Sequence, residues 1–169
     1  KSVVLLMWEK AKDFLTRAFT VIFMATVIIW FMQTFDTRLN VVENSADSIL
    51  AALGRLVSPI FAPLGFGDWR MVTALVSGFT AKEAVVSTFG VILGVSTEQL
   101  GIALHSLFTT ASAASFLAFC LLYTPCVAAV STIKTELKSG WKTVGIVFAQ
   151  CLVAWLAAFM VYHVGLLLT

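Results

Sequence analysis

The chain has 169 residues, of which 60% are hydrophobic and only 12% charged, with a formal net charge of +2. A soluble domain runs at roughly 45–50% apolar and about 25% charged, and a globule of this size has too little interior to hide the excess. These numbers exclude a disordered tail, a collagen-like chain and a disulfide-stapled secreted domain, disfavour a soluble enzyme, and leave an all-α polytopic membrane protein whose partner is the lipid bilayer.

The chain opens at Lys1, with no methionine and no signal peptide. The expectation is one membrane domain over residues 1–169, a piece of a longer polypeptide. Residues Ala18–Phe35 carry no charge and are long enough to cross a bilayer core of about 30 Å at about 1.5 Å per residue. Asp36–Asp47 is polar and acidic, and Ser45 or Asp47 is expected to cap a helix over Ser48–Val57. Pro59, Pro63, Gly65 and Gly67 then predict a bent connector near the membrane surface, with Trp69 as its anchor.

Met71–Gly94 is apolar but is interrupted by Gly78-Phe79-Thr80-Ala81-Lys82-Glu83. The longest uncharged run, Gln99–Ile133, would be about 50 Å as one helix, so it must break, and Pro125 is the expected place. Thr143–Leu168 is the last span. Lysines near the N-terminus and in Lys134–Lys142 place both segments in the cytoplasm, and the acidic Asp36–Asp47 outside. An odd number of crossings separates the outer loop from the inner one, so one of the two interrupted segments spans and the other is re-entrant.

Within these spans few residues can carry chemistry. Lys82 and Glu83 are ionisable in mid-segment, each costing at least ~2–3 kcal/mol at the bilayer centre without a partner. Neighbours on a helix point about 100° apart, so each needs a partner elsewhere, or the backbone unwinds near Gly78. They read either as an interfacial pair at a short helix end or as a cation site in a broken helix, with the carboxylate as ligand and the lysine balancing charge. Cys126 follows Pro125, a residue favoured in the first helical turn, and would stand at the positive end of a half-helix; it reads either as packing or as a soft ligand for a transition metal.

His105, Thr109 and Ser112 fall at i, i+4 and i+7, a polar stripe that either packs helices or lines a pathway. Gly90–Gly94 is a GxxxG, permitting close helix approach. Cys120, Cys151, His163 and the methionines read as packing or surface residues. No phosphate-binding loop, nucleophile elbow or zinc-protease motif is present, so no enzyme activity or cofactor is expected of these residues. No basic run interleaved with aromatics points to nucleic acid.

Four stretches together resemble the FeoB family of bacterial ferrous-iron transporters, in the second of that family's Gate segments. They are Trp8…Phe14-Leu15-Thr16-Arg17-Ala18 leading to Ile28-Ile29-Trp30; Pro59-Ile60-Phe61-Ala62-Pro63-Leu64-Gly65-Phe66 with Asp68-Trp69; Gly78-Phe79-Thr80-Ala81-Lys82-Glu83 before Val85-Val86-Ser87-Thr88; and Leu122-Tyr123-Thr124-Pro125-Cys126 with Thr132-Ile133 and Glu136. The resemblance implies a multi-pass protein of the bacterial inner membrane that carries Fe²⁺, with a GTP-binding GTPase domain on the N-terminal side, outside this chain. It also implies the remaining domains of the parent transporter and small cytoplasmic proteins of the same system as partners; a homo-oligomer is compatible with it. Cys126 and Glu83 then become the candidate metal contacts of the transport path, supported by Lys82, Gly78, Pro125, Thr109 and Ser112. The competing expectations are a carrier of a nucleoside-like organic solute and a non-transporting membrane scaffold.

Overall fold

The computed structural model describes residues 2–80, 82–96, 98–123 and 126–168. Among them the chain forms helices α1 (Ser2–Thr34), α2 (Ile49–Phe61), α3 (Trp69–Gly78), α4 (Ala84–Leu93), α5 (Leu100–Leu107), α6 (Thr110–Leu122), α7 (Val127–Leu137) and α8 (Gly140–Leu168). The architecture is all-α, as the composition requires: in hydrocarbon every backbone N–H and C=O needs an internal partner, which a helix supplies within itself.

α8 and the stretch from α6 to α7 are each long and apolar enough to cross a membrane. The pair of α2 and α3, turned by 103° at its break, forms one broken span or a re-entrant loop. The apolar part of α1 is shorter than expected. It ends at Thr34, because Phe35 leaves the helix to form an antiparallel bridge with Val41. The Phe35 carbonyl instead accepts from the Ile49 amide at 3.0 Å, which ties the outer loop to the start of α2.

Three local expectations are corrected. The cap of α2 is Ser48 itself, whose hydroxyl accepts from the Ala51 amide at 3.1 Å, and neither Ser45 nor Asp47 fills that role. Pro59 lies inside α2, which runs on to Phe61; the chain turns at Gly65, with φ +81°, a left-handed conformation that glycine adopts at least cost. Finally, the Gly90–Gly94 pair is not a helix-contact motif. Gly94 adopts φ +64°, its amide and that of Val95 return to the carbonyls of Val91 and Gly90, and α4 ends there in a Schellman turn.

The core forms where α6 meets α8 and the connector after α2. Ala154 and Ala158 of α8 are fully buried, and a Cβ on Gly165 would stand only 3.0 Å from that of Ala111 in α6. Small residues at this spacing let two membrane helices approach closely. Ser115, fully buried, bridges them by donating to the Ala158 carbonyl at 2.9 Å. Next to this seam Phe66, Phe116 and Phe119 form a chain of edge-on and tilted ring contacts, continued by Phe61 and Tyr123. Trp155 of α8 donates to the Ile60 carbonyl at 3.0 Å, satisfying an acceptor in the last turn of α2.

Candidate functional site at two helix breaks

α3 stops at Gly78 and α4 starts after Glu83; α6 stops at Leu122 and α7 starts after Cys126. The tertiary structure places these two interruptions against each other. The Val127 amide, at the open N-terminus of α7, donates to the Phe79 carbonyl at 3.0 Å. That bond joins two groups that helix ends leave without partners, one donor and one acceptor. Tyr123 adds a second tie, its hydroxyl donating to the Leu75 carbonyl at 3.4 Å. Gly78 is the residue that permits this junction: a Cβ there would collide with Val85 Cγ2 and stand 2.9 Å from the Tyr123 hydroxyl oxygen.

Lys82 reaches across the junction to α6. Its Nζ donates to the Leu121 carbonyl at 3.2 Å and stands 5.2 Å from the centre of the Tyr123 ring. Both partners are neutral, a carbonyl dipole and a π-face. Glu83 is exposed, occupies the N-cap position of α4 and makes no capping bond with its side chain. Among the described residues the ion pair present is Asp68–Arg70 at 3.6 Å, and Lys82 and Glu83 do not pair with each other.

Cys126 is half-buried and is the N-cap of α7, one position before the first helical turn. Pro125, expected to break this run, and Ala81 of the interrupted stretch lie outside the described residues. Among the described residues no three of His, Cys, Asp and Glu gather into a set that could hold a metal ion.

The polar stripe is corrected. α5 ends at Leu107 and Phe108 is extended, so His105 does not share a helix face with Thr109 and Ser112. Thr109 caps α6 instead: its hydroxyl accepts from the Ser112 amide at 3.2 Å, and the Ser112 hydroxyl accepts from the Thr109 amide at 2.8 Å. This second interruption of the uncharged run contains no proline or glycine, and its readable signal was the Thr-x-x-Ser spacing itself. Tyr123 also went unassigned from sequence, although it contacts α3, Lys82 and the aromatic core together.

The Gate family model, described as nucleoside recognition, matches residues 15–140. The chain is 33% identical over 168 residues to the Fe(2+) transporter FeoB of Methanocaldococcus jannaschii, covering 95% of this chain and 25% of that protein. It is 39% identical over 160 residues to the Fe(2+) transporter FeoB of Staphylococcus aureus strain COL, covering 94% and 24%. A Porphyromonas gingivalis protein named Fe(2+) transport protein A/Fe(2+) transporter FeoB fusion protein is 28% identical, covering 99% and 25%. The chain thus spans about a quarter of the length of these relatives. No solved structure matches it. By the family model over most of its length, the chain belongs to the Gate family, as a segment of the FeoB type.

Proposed function

We propose that this chain forms part of the path by which a transporter of the bacterial inner membrane carries Fe²⁺. The observation that carries the reading is the meeting of the two helix breaks, where the Val127 amide next to Cys126 bonds the Phe79 carbonyl and Lys82 reaches the Leu121 carbonyl, in a chain whose relatives are named Fe(2+) transporters. Broken helices offer a passing ion the backbone groups that intact helices keep for themselves.

In this reading Cys126 supplies sulfur and Glu83 oxygen to an ion that keeps part of its water. Lys82 competes with the ion as a fixed positive charge, which keeps the site weak enough to release its cargo. Gly78 shapes the first break, while Thr109 and Ser112 fix the start of α6. Further ligands come from the rest of the polypeptide, which also carries the GTP-binding GTPase domain. The fused Porphyromonas relative supports a small cytoplasmic protein of the same system as a partner. The nucleoside alternative is not favoured, because within the apolar spans Gln33 and Gln150 are the amide side chains at hand, and Gln33 is engaged with Ser77.

The test is Fe²⁺ uptake by cells expressing the full-length protein with Cys126→Ser or Glu83→Gln. Loss of uptake by about tenfold or more at equal membrane abundance is expected for each, in line with the cost of removing a group from an ion site. Normal uptake by both variants refutes the assigned roles.

A further inference from the structure

Two side-chain oxygens among the described residues are buried without a hydrogen-bond partner, Thr73 Oγ1 and Gln150 Oε1. A buried polar atom left unpaired is destabilising, and its presence calls for a reason such as a bound ion. The two oxygens differ in their surroundings. Thr73 Oγ1 lies against Gly54, where even a methyl group added to the glycine would collide with it, so the seam of α2 and α3 fills that space. Gln150 stands in α8, and its position leads to the helix breaks.

The register of α6 and α8 fixes that position. The two helices run antiparallel, since Ala111 meets Gly165 and Ser115 bonds the Ala158 carbonyl. About two turns along α6 from Ser115, roughly 12 Å, the helix ends and Tyr123 opens the break. The same distance back along α8 from Ala158 reaches Gln150. Gln150, Ala154 and Ala158 follow at i, i+4 and i+8, so they share one face, and Ala154 and Ala158 are fully buried in the cluster that contains Tyr123. Gln150 is therefore on the α8 face turned to α6, at the level of the interruption that ends in Cys126. α7, which Cys126 caps, packs against α8 as well. Gln33 provides the contrast: its amide is engaged with Ser77 at 3.4 Å.

From the shielded, unpartnered oxygen and its level at the break, we infer that Gln150 is an ion ligand of the transport path, its amide oxygen meeting the cation on the α8 side of the α6–α7 interruption. The inference rests on the transport reading above and adds a ligand to it. Carbonyl oxygen suits harder divalent ions such as Mn²⁺, while thiolate favours Zn²⁺ and Cu⁺. A site with both suits Fe²⁺, which stands next to Mn²⁺ in the affinity order. An amide is also neutral, so it orients the ion without adding charge that would hold it back.

The experiment is a titration of the full-length protein in detergent with Co²⁺, a spectroscopic stand-in for Fe²⁺. Gln150→Leu, similar in size and fully apolar, should weaken Co²⁺ binding by about tenfold. It should keep the thiolate-to-metal absorption band that Cys126→Ser removes. Gln150→Glu, close to the same shape with a negative oxygen, should tighten Co²⁺ binding and slow Fe²⁺ uptake at saturating iron, which a packing role would not do. A Gln150→Leu protein with wild-type Co²⁺ affinity overturns the inference, because leucine replaces a side chain that only fills space without loss. The band reports on the transport reading separately: weakened binding in Gln150→Leu, with no thiolate band even in the wild type, upholds Gln150 and removes Cys126 from the site.

Discussion

Gly78→Ala tests the junction directly. Two effects oppose each other. Alanine is better than glycine inside a helix by roughly 0.5–1 kcal/mol, and Gly78 is the last residue of α3. Against this, the new methyl collides with Val85 Cγ2 and stands 2.9 Å from the Tyr123 hydroxyl oxygen. Val85 and Tyr123 are both buried, so neither can swing into open space, and overpacking of this kind costs typically about 1–3 kcal/mol. The clash wins, leaving a net loss of about 1–2 kcal/mol.

The loss has an address. Tyr123 ties α6 to the Leu75 carbonyl and lies under Lys82, so displacing it loosens the junction and shifts the lysine. Thermal unfolding of the full-length protein in detergent, with and without Val85→Ala, measures the effect. Val85→Ala removes the methyl that meets the new Cβ, so the double variant should recover most of the loss, beyond what the two single changes predict by addition. A Gly78→Ala protein that is more stable than wild type, or a Val85→Ala change that gives no recovery, refutes the packing argument.

Further expectations rest on separate contacts. Thr109→Val keeps the shape but removes the hydroxyl that caps α6, and should cost about 1 kcal/mol, seen as a lowered unfolding midpoint and faster amide exchange in the first turn of α6. Ser115→Ala deletes the hydrogen bond from α6 to the Ala158 carbonyl of α8; because membrane side-chain bonds average about 0.6 kcal/mol, the loss should be small, and a loss above ~2 kcal/mol in the same unfolding assay would show that the seam depends on more than packing. Zn²⁺ should inhibit Fe²⁺ uptake, since Fe²⁺ ranks low in affinity for thiolate-containing sites, and Cys126→Ser should weaken that inhibition more than it weakens Fe²⁺ binding. Uptake indifferent to Zn²⁺ contradicts a thiolate in the path.

Much of the fold was legible because it follows from where charge is absent. A backbone in hydrocarbon must be helical, so an uncharged run of sufficient length is a helix whatever its neighbours do. That logic located the apolar cores of α1, α6 and α8 and the interruption at Gly78–Glu83. It failed where local hydrogen bonding or chain closure decides. Pro59 was absorbed into the last turn of α2, where it leaves the Arg55 carbonyl without its usual donor, and the chain turns only later, at Gly65. The break at Phe108–Thr109 was missed because hydroxyl capping, not proline, starts α6. The same break split His105 from the polar stripe.

The candidate site divides along the same line. Sequence by itself determined that Lys82 and Glu83 stand in apolar surroundings, and that Cys126 follows a proline within the longest uncharged run, since these are properties of chain neighbours. It could not determine that the two places meet, because Phe79 and Val127 are far apart along the chain and no local pattern encodes their bond. Only the tertiary structure decided that Lys82 turns to the Leu121 carbonyl and the Tyr123 ring and not to Glu83. The physical reason is that an ammonium in an apolar setting takes whichever acceptor the packing of α3 and α4 against α6 brings within its reach, and here that is the Leu121 carbonyl across the break.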